Sequence, residues 1–200
     1  MLKKWMFTLL LGSMSLMATA QVGPSSSTQT MQRAFKVDPF SPMTSKLTLG
    51  YEQRINEKLN MDVDLGIIGV DVLNSNDINA RGLFIKFGPR FYSNPDYYTD
   101  DMLRYSDFQG FYLMPALGYT FYRHDGERDG QEGVDAGTIN APTLSLNIGR
   151  QMVFGGMVTL DINGGLGYGF ADNYDFMYHY SHIGNRFIAS FSIGLGLLTK

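Results

Sequence analysis

The stretch Thr159–Phe170, "TLDINGGLGYGF", alternates with period two. Leu160, Ile162, Leu166, Tyr168 and Phe170, with Val158 ahead of them, share one parity. Thr159, Asp161, Asn163, Gly165, Gly167 and Gly169 share the other, and Gly164 is the one small residue on the apolar side. Successive side chains of a strand point to opposite faces, so the stretch reads as a β-strand with two unlike faces. Which face looks inward decides the fold. In a soluble barrel or sandwich the large apolar face is the core. In a membrane barrel that face meets lipid, and the small polar face lines the interior.

Six further segments repeat the pattern: Lys46–Ile55, Leu59–Val70, Arg81–Tyr92, Gly110–Tyr122, Thr143–Met152 and Phe187–Leu198. Each is long enough for a tilted membrane-spanning strand. Their apolar faces carry sets such as Leu83, Ile85, Phe87, Phe91 and Phe111, Leu113, Leu117, Tyr119, Phe121. Their second faces carry Thr48, Gly50, Glu52, Arg54; Asn60, Asp62, Asp64, Gly66; Lys86, Gly88, Arg90; Ser145, Asn147, Gly149; and Ser190, Ser192, Gly194, Gly196. The solvent face of a soluble sheet favours Lys, Glu and Thr, because glycine weakens a strand. A face of Gly, Ser and Asn suits a narrow interior where side chains interdigitate. Tyr51, Phe91, Tyr92, Phe111, Tyr119, Phe121, Tyr168, Phe170 and Phe187 gather near strand ends, as in aromatic girdles at two interfaces.

Composition narrows the classes. Charged residues are 18% of the 200, aromatics 14%, and 23 residues are glycine. The formal net charge is −3 with no basic run, so a nucleic-acid footprint is absent. There is no cysteine, which excludes disulfide frameworks and thiolate metal sites. Lys3 and Lys4, the apolar stretch Trp5–Met17 and the small residues Ala18-Thr19-Ala20 read as an export signal over 1–20, cleaved before Gln21. Residues 21–32 read as a flexible leader and 33–200 as one barrel domain.

Turn lengths set the orientation. Membrane barrels have short periplasmic turns and long external loops. Asn56–Lys58 and Phe154–Gly156 are short and should be periplasmic; Asn74–Asn79, His124–Asn140 and Ala171–Asn185 should be external. Ser93–Asp107 is long yet falls on the periplasmic side. Lys46–Ile55 then descends, so an ascending strand must precede it, and Arg33–Phe40 is the candidate, although Pro39 and Pro42 interrupt it. The expected fold is therefore all-β: an eight-stranded antiparallel up-and-down transmembrane β-barrel.

Parity sends Lys36, Lys46, Arg54, Lys86 and Arg90 inward against Asp38, Glu52, Asp62, Asp64 and Asp161. Isolated buried charges are costly, so these should pair. Glu52, Arg54, Asp62, Asp64, Lys86, Arg90 and Asp161 are the expected lumen charge network. An eight-stranded barrel is only wide enough to be filled by side chains, so a plug is favoured over an ion path.

The segments "KVDPFSP" (Lys36–Pro42), "LTLGYEQRI" (Leu47–Ile55), "IKFGPRFY" (Ile85–Tyr92), "GFYLMPALGYTF" (Gly110–Phe121) and a glycine-rich final strand carry a resemblance. The chain resembles the small outer-membrane β-barrel proteins of OmpA/OmpX type, and more closely an uncharacterised outer-membrane β-barrel family, over about residues 33–198. The resemblance implies insertion into the outer membrane of a Gram-negative bacterium by the barrel-assembly machinery. It implies outer-membrane lipid as the surrounding partner and no particular activity. The final strand departs from the pattern by ending Leu198-Thr199-Lys200 rather than in an aromatic residue.

Candidate chemistry is thin. His179 and His182, with Asp172 and Asp175 nearby, invite a metal reading, but their spacing is no known ligand pattern. Ser181 beside His182, with His124, invites a lipid-modifying hydrolase, but nothing places nucleophile, base and acid together. Asp125, Glu127, Asp129, Glu132 and Asp135 invite calcium but lack the regular spacing of an EF-hand loop. Tyr97–Tyr105 reads as a polar loop or a short interfacial turn. The expectation is a non-enzymatic barrel without cofactor or metal, acting structurally or through external loops on an unknown extracellular partner. A lipid-modifying enzyme and a secreted soluble barrel carrying a hydrophobic ligand are the alternatives.

Overall fold

The computed structural model of the chain describes residues 31–70, 79–93, 108–125, 136–170, 181–184 and 186–200. The expected export signal, its expected cleavage site at Ala18, Ala20 and Gln21, and the expected leader up to residue 30 lie outside them.

Among the described residues nine strands form one sheet: β1 (Arg33–Asp38), β2 (Lys46–Arg54), β3 (Leu59–Ile68), β4 (Arg81–Tyr92), β5 (Gly110–His124), β6 (Gly137–Phe154), β7 (Val158–Gly169), β8 (Ser181–Gly184) and β9 (Phe187–Thr199). Every neighbour is antiparallel, and β9 also pairs with β1, which closes the sheet. Eight of the strands make the barrel; β8 is a short strand that, among the described residues, pairs with β9 alone.

The register fixes the dimensions. Partners followed round the wall run Phe35, Tyr51, Val63, Phe87, Leu117, Leu144, Tyr168, Phe187. Phe35 itself pairs on β9 with Leu197, so the circuit closes ten residues out of step. Eight strands with that stagger tilt by about 40° and leave a backbone radius of about 8 Å. Such a tube has room for side chains and little else.

Alternation then does what the sequence demands. Along β5, Phe111, Leu113, Leu117, Tyr119 and Phe121 are exposed, while Tyr112, Met114, Ala116, Thr120 and Tyr122 are buried. The same split holds on β4 and β6. Glycine is what lets the inner face close up. A Cβ on Gly66 would sit 1.8 Å from the Phe84 ring, and one on Gly165 2.2 Å from Asn147 Oδ1. The tight β6–β7 turn needs glycine for a different reason: Gly155 and Gly156 have φ of 58° and 71°, the left-handed region.

Four details differ from the sequence reading. First, β1 stops at Asp38 rather than Phe40. Pro39 has no N–H for a ladder, and the Asp38 carboxylate accepts the N–H groups of Phe40 and Ser41 at 2.9 and 3.0 Å, turning the chain into a 3-10 helix over Ser41–Thr44. Second, β6 begins at Gly137, so part of the expected loop His124–Asn140 is strand. Third, β8 lies within the expected loop Ala171–Asn185. Fourth, Tyr92 is no girdle residue; it shares the parity of Arg90 and is buried inside.

The interior is also less uniformly polar than expected. Ile68, Ala80, Phe84, Tyr122, Ile139, Ala141 and Ile188 form a buried apolar cluster toward the end where β3 and β5 finish. Ala34, Phe108 and Leu198 form a second one at the opposite end. The charged residues lie between them.

Candidate functional site: the charged interior

Five charged side chains meet inside the barrel, one from each of β1, β2, β3, β4 and β7: Lys36, Glu52, Asp62, Arg90 and Asp161. All are almost fully buried. Alternation alone aims each of them inward; the stagger of the barrel brings them to one level.

Lys36 Nζ donates to Glu52 Oε2, to Asp161 Oδ2 at 3.2 Å and to Asp62 Oδ1 at 3.4 Å. Arg90 Nη1 donates to Asp161 Oδ2 and, at 3.2 Å, to Gln151 Oε1, while Nη2 donates to Asp62 Oδ2 at 3.0 Å. Arg90 Nη1 also lies 3.5 Å from Glu52. Each cation thus faces all three carboxylates. Neutral donors complete the set: Tyr92 Oη donates to Glu52 Oε1 at 2.8 Å, Asn60 Nδ2 to the same oxygen, and Tyr112 Oη to Asp161 Oδ1 at 2.7 Å. The Arg90 guanidinium lies 4.3 Å from the centre of the Tyr112 ring. Three carboxylates against two cations would leave excess negative charge in a buried site, and the tyrosine and asparagine donors disperse it.

Of the seven residues the sequence assigned to the network, Glu52, Asp62, Arg90 and Asp161 are in this cluster. Asp64 and Lys86 form a separate pair at 2.9 Å, nearer the other end. Arg54 stands at the end of β2, one inward position beyond Glu52. Lys36, inward by parity, proves central. Tyr92, Tyr112 and Gln151 were missed; their even or odd parity with Arg90, Met114 and Asn147 was the available signal.

Among the described residues no three His, Cys, Asp or Glu side chains group as metal ligands. His124 is buried with its ring 6.2 Å from that of Tyr122. Asp172, Asp175 and His179 lie outside the described residues, as do Glu127, Asp129, Glu132 and Asp135, Tyr97–Tyr105, and the bulk of the loop Asn74–Asn79. Ser181 and His182 are placed only as backbone of β8.

The fold defines the class: a small, closed, eight-stranded antiparallel β-barrel with ion pairs across its interior. Comparison with known proteins adds nothing to that class, since no family model, no curated protein and no solved structure matches the chain.

Proposed function

We propose that this chain is an integral outer-membrane barrel whose interior is plugged by its own ion pairs, and whose role is structural or is exercised through its external loops. One observation carries the reading: the wall is apolar on the outside all the way round. Each barrel strand contributes an exposed large apolar side chain: Phe35, Leu49, Leu65, Leu83, Leu117, Leu144, Leu166 and Phe191. Soluble monomers rarely expose contiguous apolar patches beyond a few hundred Å². From Phe111 to Phe121 along β5 the exposed apolar run covers eleven residues, whose ten steps at the barrel's tilt make a height of about 25 Å, the band of a membrane barrel.

The inside-out distribution also argues against a soluble carrier, which would keep its apolar face inward and its charges outside. The charged level favours a plug. In a tube about 8 Å in radius, nine side chains bonded to one another leave little room for a continuous path. The short turns after β2 and β6 are then periplasmic and the connections after β3, β5 and β7 external. Insertion by the barrel-assembly machinery, outer-membrane lipid as the surrounding medium, absence of enzymatic activity and absence of nucleic-acid binding all belong to the same reading.

The test is direct. Refolded protein should float with phospholipid vesicles and run at different gel positions before and after boiling. A chain that stays in solution without detergent and shows no mobility shift overturns the proposal.

A further inference from the structure

Alternation sorts the charges of the wall by sign as well as by face. Inward positions hold both signs, Lys36, Lys46, Arg54, Lys86 and Arg90 with Asp38, Glu52, Asp62, Asp64 and Asp161. Among the strand residues whose side chains are described, the outward positions hold Arg33, Arg81, Arg123 and Arg150, all exposed and all arginine. No carboxylate of those strands therefore faces an anion that approaches from the lipid side.

Two of the four are set against each other. Arg81 opens β4 and pairs directly with Arg123, near the end of β5. Ser93 N–H donates to the Phe111 carbonyl at 2.8 Å, so the odd-numbered partners of β4 and β5 are the hydrogen-bonded pairs, with Cα atoms about 5.5 Å apart. Like charges directly opposite on one face destabilise a sheet. The other two arginines avoid this. Arg33 stands between Gln53 and Thr199. Arg150 stands between Phe111 and Ile162, its guanidinium 5.0 Å from the centre of the Phe111 ring.

The surroundings of the Arg81–Arg123 doublet do not neutralise it. A Cβ on Gly69 would meet Arg81 Cγ at 3.3 Å, so the stem of Arg81 lies beside a residue without a side chain. Thr138, opposite Arg123 on β6, is exposed. Above the pair, Arg81 Nη2 donates to Asn79 Oδ1 at 3.2 Å, and Asn79 Nδ2 donates to the Asp125 carboxylate, so an amide stands between Asp125 and Arg81.

Below the doublet the same two strands are apolar outside. The exposed pairs Leu83–Phe121, Ile85–Tyr119 and Phe87–Leu117 follow in order. From Leu83–Phe121 up to Arg81–Arg123 is two residues, a rise of about 5 Å at the barrel's tilt, which carries the guanidinium groups to headgroup level at the external end. Each guanidinium fork donates two parallel N–H bonds to a pair of phosphate oxygens, as an ammonium cannot. A phosphate monoester carries a charge of about −1.5 to −2, which matches two arginines. A phosphodiester carries one and leaves the doublet half-compensated.

Resting on the membrane reading above, we infer that Arg81 and Arg123 form a binding site for the phosphate monoester headgroup of a lipid in the external leaflet. Its acyl chain lies down the outer face of β4 and β5 over Leu83, Phe121 and Ile85. That apolar track is what commits the site to a lipid rather than to a soluble phosphate.

The full chain, refolded in detergent micelles, is titrated with dioleoyl phosphatidic acid, and the first bound lipid is followed by native mass spectrometry. It is compared with Arg81→Gln/Arg123→Gln and with Arg33→Gln/Arg150→Gln, which removes the same charge from the outward face. Hydrogen bonds to charged groups are lost only in the first variant, whose Kd should rise at least about tenfold. The second should stay within about twofold, as expected of isolated exposed charges. Phosphatidylglycerol, a phosphodiester, should bind the parent more weakly than phosphatidic acid, and glycerol 3-phosphate in tenfold excess (a concentration of about that order suffices) should not displace the lipid. In phosphatidylcholine vesicles the urea midpoint of Arg81→Gln/Arg123→Gln should equal or exceed the parent's, because a repulsion has gone. Equal weakening in the two double variants overturns the site in favour of diffuse attraction. Equal binding of the two lipids overturns the monoester, and displacement by glycerol 3-phosphate overturns the lipid. A lowered midpoint overturns the inference by making the doublet a support of the fold. Protein that fails to float with vesicles overturns the membrane reading itself, and this inference with it.

Discussion

Replacing Arg90 with Met is the sharpest perturbation of the interior. The side-chain length is kept and the charge is lost. Arg90 touches Asp161, Asp62 at 3.0 Å, Glu52 at 3.5 Å and Gln151 at 3.2 Å. Without it three carboxylates share Lys36 alone. Two like charges about 5 Å apart repel by about 3 kcal/mol at an effective dielectric of about 20. Removing one partner of a buried ion pair costs about 3–5 kcal/mol in general, so Arg90→Met should lose about 3–5 kcal/mol of unfolding free energy. Asp161→Asn keeps an oxygen for the Tyr112 hydroxyl and removes one of the three negative charges. The double variant Arg90→Met/Asp161→Asn should therefore be better than additive, by about 2 kcal/mol or more. Urea unfolding in vesicles, followed by tyrosine fluorescence and by the loss of the fast-migrating gel band, measures all four corners of the cycle. An Arg90→Met cost under about 1 kcal/mol, or an additive cycle, means that the interior is wet enough to screen these charges and that the plug is not what holds it.

Further outcomes follow from the same geometry. Gly165→Ala should destabilise by about 1–3 kcal/mol because its Cβ meets Asn147 Oδ1 at 2.2 Å and disturbs the Asn147–Ser190 hydrogen bond; adjacent Gly164→Ala, with nothing nearer than 3.5 Å, should be neutral or mildly stabilising, and urea midpoints compare the two. Gly66→Ala should be strongly destabilising while the Phe84 ring is in place, and adding Phe84→Leu should recover part of the loss in the same assay. Leu146→Arg, on the outer face, should cost about 2–4 kcal/mol in a bilayer, and no cost in vesicles would count against a lipid-facing wall. Asp38→Ala should cost about 2–4 kcal/mol by stranding the N–H groups of Phe40 and Ser41 and the Ser192 hydroxyl, with Asp38→Asn recovering most of it; amide exchange at Phe40 and Ser41 reports the local opening.

Much of this protein is written in its period-two alternation. That pattern, with turn residues between its runs, was enough to mark seven barrel strands, and the need for an even, closed, antiparallel set called for an eighth at Arg33. It also named the inward charges, because parity is a local property: a side chain two residues along faces the same way whatever the rest of the chain does. What the alternation could not say is which inward charges meet. Glu52 and Asp161 are 109 residues apart in the chain, and Lys36 joins them only because the wall closes ten residues out of step. The stagger is a sum over every strand pairing, and no single segment carries it. For the same reason the pairing of Arg33 with Thr199 was invisible: the first strand and the last are far apart in the chain, and only closure sets those two side by side.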